Sequence, residues 1–304
     1  MRASKAIGLY AVVVIVVGVL VAPWLFWTVQ WLSQHVAAAH WLAGYSFRRL
    51  LNRSLMIVAL AGLWPLLRSV GLGTWREIGY VRTRHWWQHA LVGFALALGS
   101  FFLAFTISIV LGHRSIAHDK SVGEIAGAVL RYTFVGLVVS LIEETFFRGA
   151  IQGVLQRAMN AVLAVIVASA IYSALHYLKP RGADATPDQI TWTSGLTYLG
   201  EVGQRSFAKR DDVIGFVTLF MAGCILGLAY VKTRALYLSI GMHAGWVLAN
   251  EFARWLDAGP IIEDMTTWPV LALLLLIIGW LCTTKLKPLY VPEASGSGPG
   301  APST

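Results

Sequence analysis

The chain has 304 residues, of which 57% are apolar or aromatic and only 13% are charged. A soluble domain of this length cannot bury so much apolar surface, so the composition excludes a soluble globular protein and predicts a polytopic membrane protein. The net charge of +9 does not indicate nucleic-acid binding. The Lys and Arg residues cluster at the ends of apolar runs, where membrane proteins carry their topology signals.

Eight apolar runs follow one another along the chain, most of them close to the roughly 20 residues that cross a bilayer as a helix. We therefore predict an all-α membrane bundle of about eight transmembrane helices. The runs are Ala6–Trp31, Leu55–Gly73, His89–Gly112, Gly127–Gln156, Ala161–Leu178, Val213–Val231, Ala235–Leu256 and Trp268–Thr284. The first run has a basic start but no small-residue cleavage site, so we expect a retained anchor rather than a signal peptide.

The polar residues divide these runs into parts. Residues 1–125 are predicted to hold about three N-terminal spans, residues 126–256 a core that carries the motifs discussed below, and residues 257–285 a C-terminal span. Residues 286–304 are expected to form a disordered tail, because PEASGSGPGAPST has too little apolar surface to pack. The polar loop 179–212 is long enough to cover a site as a mobile cap.

Basic residues predict that both termini face the cytoplasm. They lie at the N-terminus, at Arg76, at Arg157, in the turn VKTRA and at Lys285. Two predicted spans separate each of these positions from the next, so all of them are on the same side of the membrane. The segment FRRLLNR argues for the opposite orientation.

Two acidic residues and an arginine interrupt the apolar sequence at Leu141–Gly149, LIEETFFRG. Each charge costs about 2.5–3.5 kcal/mol at the centre of a membrane helix, so such residues usually have a function. On a helix, Glu144 and Arg148 are four residues apart with the acid first, the favourable order for an ion pair. Glu143 is rotated by about 100° and is left free to face a cavity. The alternative is that these charges only mark the end of a span.

Two later apolar runs each contain a histidine. His176 follows Tyr172 by one helical turn in AIYSALHY, and His243 lies in LYLSIGMHAGWVLANEF with Asn250 nearly in line with it. Polar groups on separate spans usually interact with one another. We therefore predict that Glu143, His176 and His243 share one polar site.

Two hydrolytic chemistries fit these three residues. In the first, Glu143 and His176 remove a proton from water while His243 and a neighbouring donor stabilise an oxyanion. In the second, Glu143, His176 and His243 bind a catalytic metal such as zinc, with an open position for water. The residues alone leave both chemistries open.

Other hydrolase signatures are missing from the sequence. It contains neither HExxH nor GxSxG, and Ser173 has no acid near it to orient His176 for a serine mechanism. Cys224 and Cys282 lie singly inside apolar runs, so they form neither a disulfide framework nor a CxxC metal pair.

The motifs EETFFR, YSALH and SIGMHAGW resemble those of the CAAX-protease and bacteriocin-processing (CPBP, or Abi) family of glutamic intramembrane endopeptidases. The family pattern is EExxxR on one helix, an aromatic residue four positions before a histidine on the next, and HxxxN on a third. The resemblance covers about residues 131–250.

The resemblance implies a role for each matching residue. It implies that Glu143 is the general base, that His176 assists it and that His243 stabilises the oxyanion. The supporting residues that it implies are Glu144 and Arg148 as a structural ion pair and Tyr172 at the aromatic position.

The chain departs from the family pattern at the end of the third motif. HxxxN places an amide at position 247, where this chain has Val247. Asn250 is on nearly the same helical face but about 4.5 Å further along the axis, so it reaches the site only if the cavity is shifted or water bridges the gap. Loss of one such donor reduces the rate by about 100- to 1,000-fold.

The resemblance implies an intramembrane endopeptidase of a bacterial inner membrane, with no cofactor, or zinc in the metal alternative. Its partners would be the lipid bilayer and a peptide substrate, lipidated or not, with no nucleic acid and with the oligomeric state left open. A non-catalytic membrane binding or bacteriocin self-immunity protein is the alternative from another class, favoured by Val247. A transporter ranks third, because the sequence shows no repeated halves.

Overall fold

The computed structural model describes residues 3–81, 84–112, 120–177, 186–205, 210–256 and 268–285. Within these ranges the regular structure is helical and there is no strand, which confirms the all-α class. The longer helices are α1 (Ala3–His35), α2 (Phe47–Ser69), α3 (Trp86–Val110), α4 (Val122–Leu155), α5 (Ala161–Tyr177), α6 (Ser194–Arg205), α7 (Arg210–Thr233), α8 (Tyr237–Trp255) and α9 (Trp268–Lys285).

Five helices of the described part are long and apolar enough to cross a bilayer. They are Lys5–His35, Phe47–Ser69, Trp86–Val110, Val122–Leu155 and Asp212–Thr233. Ala161–His176 is apolar but shorter. The chain is therefore an integral membrane protein. Each of the eight predicted apolar runs overlaps a helix, whereas the count of eight spans stays a prediction.

Helix α2 begins at Phe47 rather than at Leu55, because its arginines find partners within the protein. Arg48 is buried, its guanidinium lies 5.1 Å from the ring centre of Tyr198, and it forms a 4.0 Å ion pair with Glu201. These partners come from α6, which the apolar pattern did not predict. The basic segment FRRLLNR, which lies before the predicted second run, therefore forms the first turns of α2.

The described part of the predicted cap includes a short 3-10 turn, Pro187–Gln189, and α6, which packs against the N-terminal helices. The Tyr198 ring lies 5.0 Å from the ring of Phe47 in α2, and a Cβ on Gly195 would overlap the backbone of Val19 in α1. The RGADA part of the same loop and the predicted tail 286–304 lie outside the described residues.

Helix α8 packs closely against α3 and α4 and brings its histidine into the bundle. A Cβ on Gly241 would overlap the carbonyl oxygen of Ala90 in α3. One on Gly245 would lie 2.7 Å from the Cβ of Ala97. Only glycine permits this approach of the two backbones. His243, which lies between the two glycines, is buried as a result.

Candidate active site

The site is built around a change of helix type in α4. The helix is regular from Val122 to Glu144, π-helical over Thr145–Gln152, and ends with Gly153–Leu155. The two carboxylates Glu143 and Glu144 therefore end the regular part. Short π-helical segments inside α-helices occur frequently at functional sites. No pattern in the sequence predicted this one.

Glu144 is a fully buried carboxylate that joins two helices. Its Oε1 atom accepts a hydrogen bond from Arg148 Nη1 at 2.9 Å and lies 2.8 Å from Nδ1 of His243 in α8. A carboxylate needs such partners when it leaves water. The structure thus contains the Glu144–Arg148 pair expected from the spacing, and adds the histidine to it.

Arg148 is as deeply buried as its partner. Its Nη2 atom donates to the carbonyl oxygen of Gly223 in α7 at 3.4 Å, and its guanidinium carbon lies 4.7 Å from the ring centre of Tyr172 in α5. A guanidinium over an aromatic face is attracted by the ring electrons. Arg148 therefore ties α4 to both α5 and α7.

The hydrogen bonds of the two histidines fix which nitrogen carries the proton. Nδ1 of His176 lies 2.9 Å from the carbonyl oxygen of Tyr172, which only accepts, so Nδ1 is the donor. Nδ1 of His243 donates to the Glu144 carboxylate for the same reason. In each neutral imidazole, Nε2 then carries the lone pair.

Glu143 lies between the Nε2 atoms of the two histidines. Its Oε2 atom is 3.7 Å from Nε2 of His176 and 3.7 Å from Nε2 of His243. These distances exceed a direct hydrogen bond and suit bridging by water. The side chains of Glu143 and His176 are 25% and 27% exposed, whereas that of His243 is 6% exposed. Glu143 and His176, which are partly exposed, are thus the side of the site nearest to a substrate and water.

The Oε2 atom of Glu143 is itself buried and has no hydrogen-bond partner within the described part of the chain. A carboxylate oxygen without a donor has its lone pairs free to accept a hydrogen bond from water. The Oε2 atom of Glu144 is likewise buried without a partner in the described residues, but its Oε1 atom accepts from both Arg148 and His243. The two adjacent carboxylates therefore have different environments, which suits one to proton transfer and the other to positioning.

The metal alternative stays a prediction. Among the described residues, no group of three His, Cys, Asp or Glu side chains is arranged to hold a metal ion. Glu143, His176 and His243 approach one another, but not as a ligand set of that kind.

The two residues at the end of the third motif do not complete the site. Val247 is partly buried and offers no hydrogen-bond donor. Asn250 Nδ2 lies 3.5 Å from Oε1 of Glu251, and its position is about 10.5 Å along the helix axis from His243. Among the hydrogen bonds of the described residues, none connects Asn250 with Glu143, His176 or His243.

Gln152 is a site residue that the sequence reasoning missed. It is fully buried one turn beyond Arg148, and its Nε2 atom donates to the carbonyl oxygen of Gly227 at 3.1 Å. Arg148 and Gln152 thus bond to Gly223 and Gly227, which are also four residues apart. The sequence feature that could have identified Gln152 is a polar residue inside an apolar run, four positions after Arg148.

The comparisons with known proteins concern the part of the chain that carries this cluster. Residues 125–249 match the family model described as Rce1-like, type II CAAX prenyl endopeptidase Rce1-like. This part of the chain is therefore similar to the Rce1-like family. The match confirms the resemblance inferred from the three motifs. The Rce1-like domain runs from α4 to α8 and contains every residue of the Glu/His/Arg/Tyr cluster. No curated protein and no solved structure matches the chain.

Proposed function

We propose that this protein is a glutamic intramembrane endopeptidase in which Glu143 activates water. The observation that carries the proposal is the position of Glu143 Oε2, 3.7 Å from Nε2 of His176 and of His243. A water molecule between these three atoms has the Glu143 carboxylate and the His176 imidazole to accept its protons. The Rce1-like family match, whose description names an endopeptidase, supports the same reaction.

The first step transfers a proton from water to Glu143 as the water oxygen bonds to the peptide carbonyl carbon. His176 assists through its Nε2 lone pair, since its Nδ1 proton is held by the Tyr172 carbonyl. The carbonyl oxygen becomes an oxyanion. In the second step the C–N bond breaks, the oxyanion returns to a carbonyl, and Glu143 gives its proton to the leaving amine.

His243 stabilises the oxyanion in this account. In its protonated form, the imidazole donates from Nδ1 to Glu144 and from Nε2 to the carbonyl oxygen of the substrate. Glu144 and Arg148 hold the ring in that orientation. They act on the reaction through His243 and are positioning residues.

The substrate is proposed to be a peptide with a prenylated cysteine, which is the class named in the family description. The long apolar helices would hold the lipid in the bilayer while the peptide enters at Glu143 and His176, which are partly exposed. No metal or other cofactor takes part in the proposed reaction.

We further propose that both termini face the cytoplasm of a bacterial cell. Arg157 donates to the carbonyl oxygens of Val70 and Gly71, which brings the ends of α4 and α2 to one side. The turn between α7 and α8, with Lys232 and Arg234, meets the same region. A concentration of basic residues on one side supports a cytoplasmic location for that side.

The direct test is cleavage by the purified protein in detergent. A prenylated peptide and its unprenylated counterpart are incubated with wild type and with Glu143→Ala, and products are identified by mass spectrometry. Cleavage of the prenylated peptide that disappears in Glu143→Ala supports the proposal. Full cleavage by Glu143→Ala rejects the role of Glu143, and no cleavage of either peptide favours the non-catalytic binding protein.

A further inference from the structure

A segment outside the Rce1-like domain lies against the catalytic part of α4. Residues 70–81, which follow α2 and are here called the strap, run along the π-helical segment. A Cβ on Gly149 would lie 2.8 Å from the carbonyl oxygen of Ile78, and the Tyr80 hydroxyl lies 2.6 Å from Oγ1 of Thr145. Positions 145 and 149 share one face of the helix. The strap therefore contacts the turn that directly follows Glu144.

Hydrogen bonds hold the strap at both ends. Arg157 donates to the carbonyl oxygens of Val70 and Gly71, each at 3.3 Å. At the other end, the backbone N–H of Leu236 donates to the carbonyl oxygen of Gly79 at 3.1 Å. Tyr80 is thus the next residue after a fixed backbone position. Its contact with α4 follows from this anchoring.

The hydroxyl of Tyr80 is the donor in its bond to Thr145. The Thr145 hydroxyl donates its own proton to the carbonyl oxygen of Leu141, so it accepts from Tyr80. Burial raises the pKa of Tyr80 by more than its hydrogen bond with Thr145 lowers it, so its hydroxyl stays protonated. Leu141 and Thr145 bracket the two carboxylates in the chain.

We propose that Tyr80 is a positioning residue for the proposed hydrolysis, which fixes the turn carrying Glu143 and Glu144. This inference rests on the proposed function. The chain of hydrogen bonds from Tyr80 through Thr145 to Leu141 restrains that turn, and with it the position of Glu143 against the two histidines. The Rce1-like domain thereby receives a determinant of its active site from the N-terminal region.

The test removes the Tyr80 hydroxyl and keeps the ring. In Tyr80→Phe the edge contacts with Trp75 and Tyr237 remain, at 5.7 Å and 6.3 Å between ring centres. We expect kcat for peptide cleavage to fall by about 10- to 100-fold, with KM changed by no more than about twofold, because the misplaced carboxylate affects the chemical step. The matched control is Tyr10→Phe, whose hydroxyl donates to the carbonyl oxygen of Ala59 at 2.7 Å in α2.

Two results would overturn the inference. One is equal kcat values for Tyr80→Phe and Tyr10→Phe. The other concerns the double variant Tyr80→Phe with Thr145→Val. Removing both ends of one hydrogen bond should lower kcat no more than removing one end, so a decrease in kcat equal to the product of the two single decreases would contradict the inference.

Hydrogen exchange separates this inference from the proposed function. We expect faster amide exchange over residues 141–149 in Tyr80→Phe than in wild type and Tyr10→Phe. If wild type cleaves no peptide, the proposed function fails, while the exchange rates still decide the restraint by Tyr80. Unchanged exchange in Tyr80→Phe would reject it.

Discussion

Nδ1 of His243 lies 2.8 Å from Oε1 of Glu144, and the same oxygen accepts a hydrogen bond from Arg148 at 2.9 Å. One buried carboxylate oxygen therefore connects the proposed oxyanion donor on α8 with an arginine on α4. The orientation of His243 depends on this ion pair, because the Nδ1 bond fixes the direction of Nε2.

Removal of the buried arginine should destabilise the protein. Arg148→Ala removes the guanidinium that pairs with the buried Glu144 carboxylate, and loss of one partner of a buried pair costs about 3–5 kcal/mol. We expect a clear decrease of the free energy of unfolding, measured in detergent, together with loss of cleavage.

The matched control for Arg148→Ala is Arg49→Ala. Arg49 is exposed at the start of α2, where its guanidinium lies 4.8 Å from the Tyr45 ring. Apart from the loss of its weak contact with the Tyr45 ring, its replacement should change the free energy of unfolding by no more than about 0.5 kcal/mol. Equal losses in the two variants would contradict a special role of the buried pair.

The close approach of α3 and α8 predicts a strong effect of one methyl group. Gly245→Ala places a Cβ 2.7 Å from that of Ala97, and overpacking of this kind costs about 1–3 kcal/mol. The added methyl group should push α8 away from α3 and move His243 with it, so cleavage should also decrease. Gly99→Ala in α3 is the control, since a Cβ there meets nothing within 4 Å. It should leave stability unchanged or slightly raised, and a similar loss in both variants would argue against the contact.

An amide at position 247 should improve catalysis. Val247→Asn places a donor where the family motif has one, one turn after His243, and an oxyanion donor contributes about 100- to 1,000-fold when it is well placed. We expect kcat to rise by about tenfold or more. Val247→Ala, which changes the size without adding a donor, should show no rise. A decrease in kcat for Val247→Asn would mean that the site does not use a donor at this position.

Cleavage should not depend on a divalent metal. The proposed reaction uses only Glu143, His176 and His243, so prolonged dialysis against a strong chelator should leave kcat/KM unchanged. A loss of activity that zinc restores would assign the same three residues to a metal site.

Much of the fold was predictable from the sequence because hydrocarbon imposes a simple rule on apolar length. All eight apolar runs overlap helices, and the Glu144–Arg148 pair follows from helical spacing. The start of α2 was not predictable, because Arg48 is compensated by Tyr198 and Glu201, residues about 150 positions away.

The finer arrangement of the site depends on tertiary packing. The π-helical segment has no signature in the sequence, and the spacing of Glu144 and His243 gives no sign that they form a hydrogen bond. Tyr80 lies in a polar segment far from the motifs, and only the anchoring of the strap brings it to Thr145. Long-range contacts of this kind leave no local periodicity.

The most direct test of the central claim is the ratio of kcat/KM between Glu143→Gln and wild type. Glutamine keeps the size of the side chain but cannot accept a proton from water, and a general base contributes about 100- to 10,000-fold. We predict that kcat/KM of Glu143→Gln decreases by a factor within or beyond that range, while its free energy of unfolding and its amide exchange rates stay unchanged. The kcat/KM of Glu143→Asp should lie between those of Glu143→Gln and wild type. Cleavage by Glu143→Gln within about twofold of wild type would contradict the assignment of Glu143 as the base.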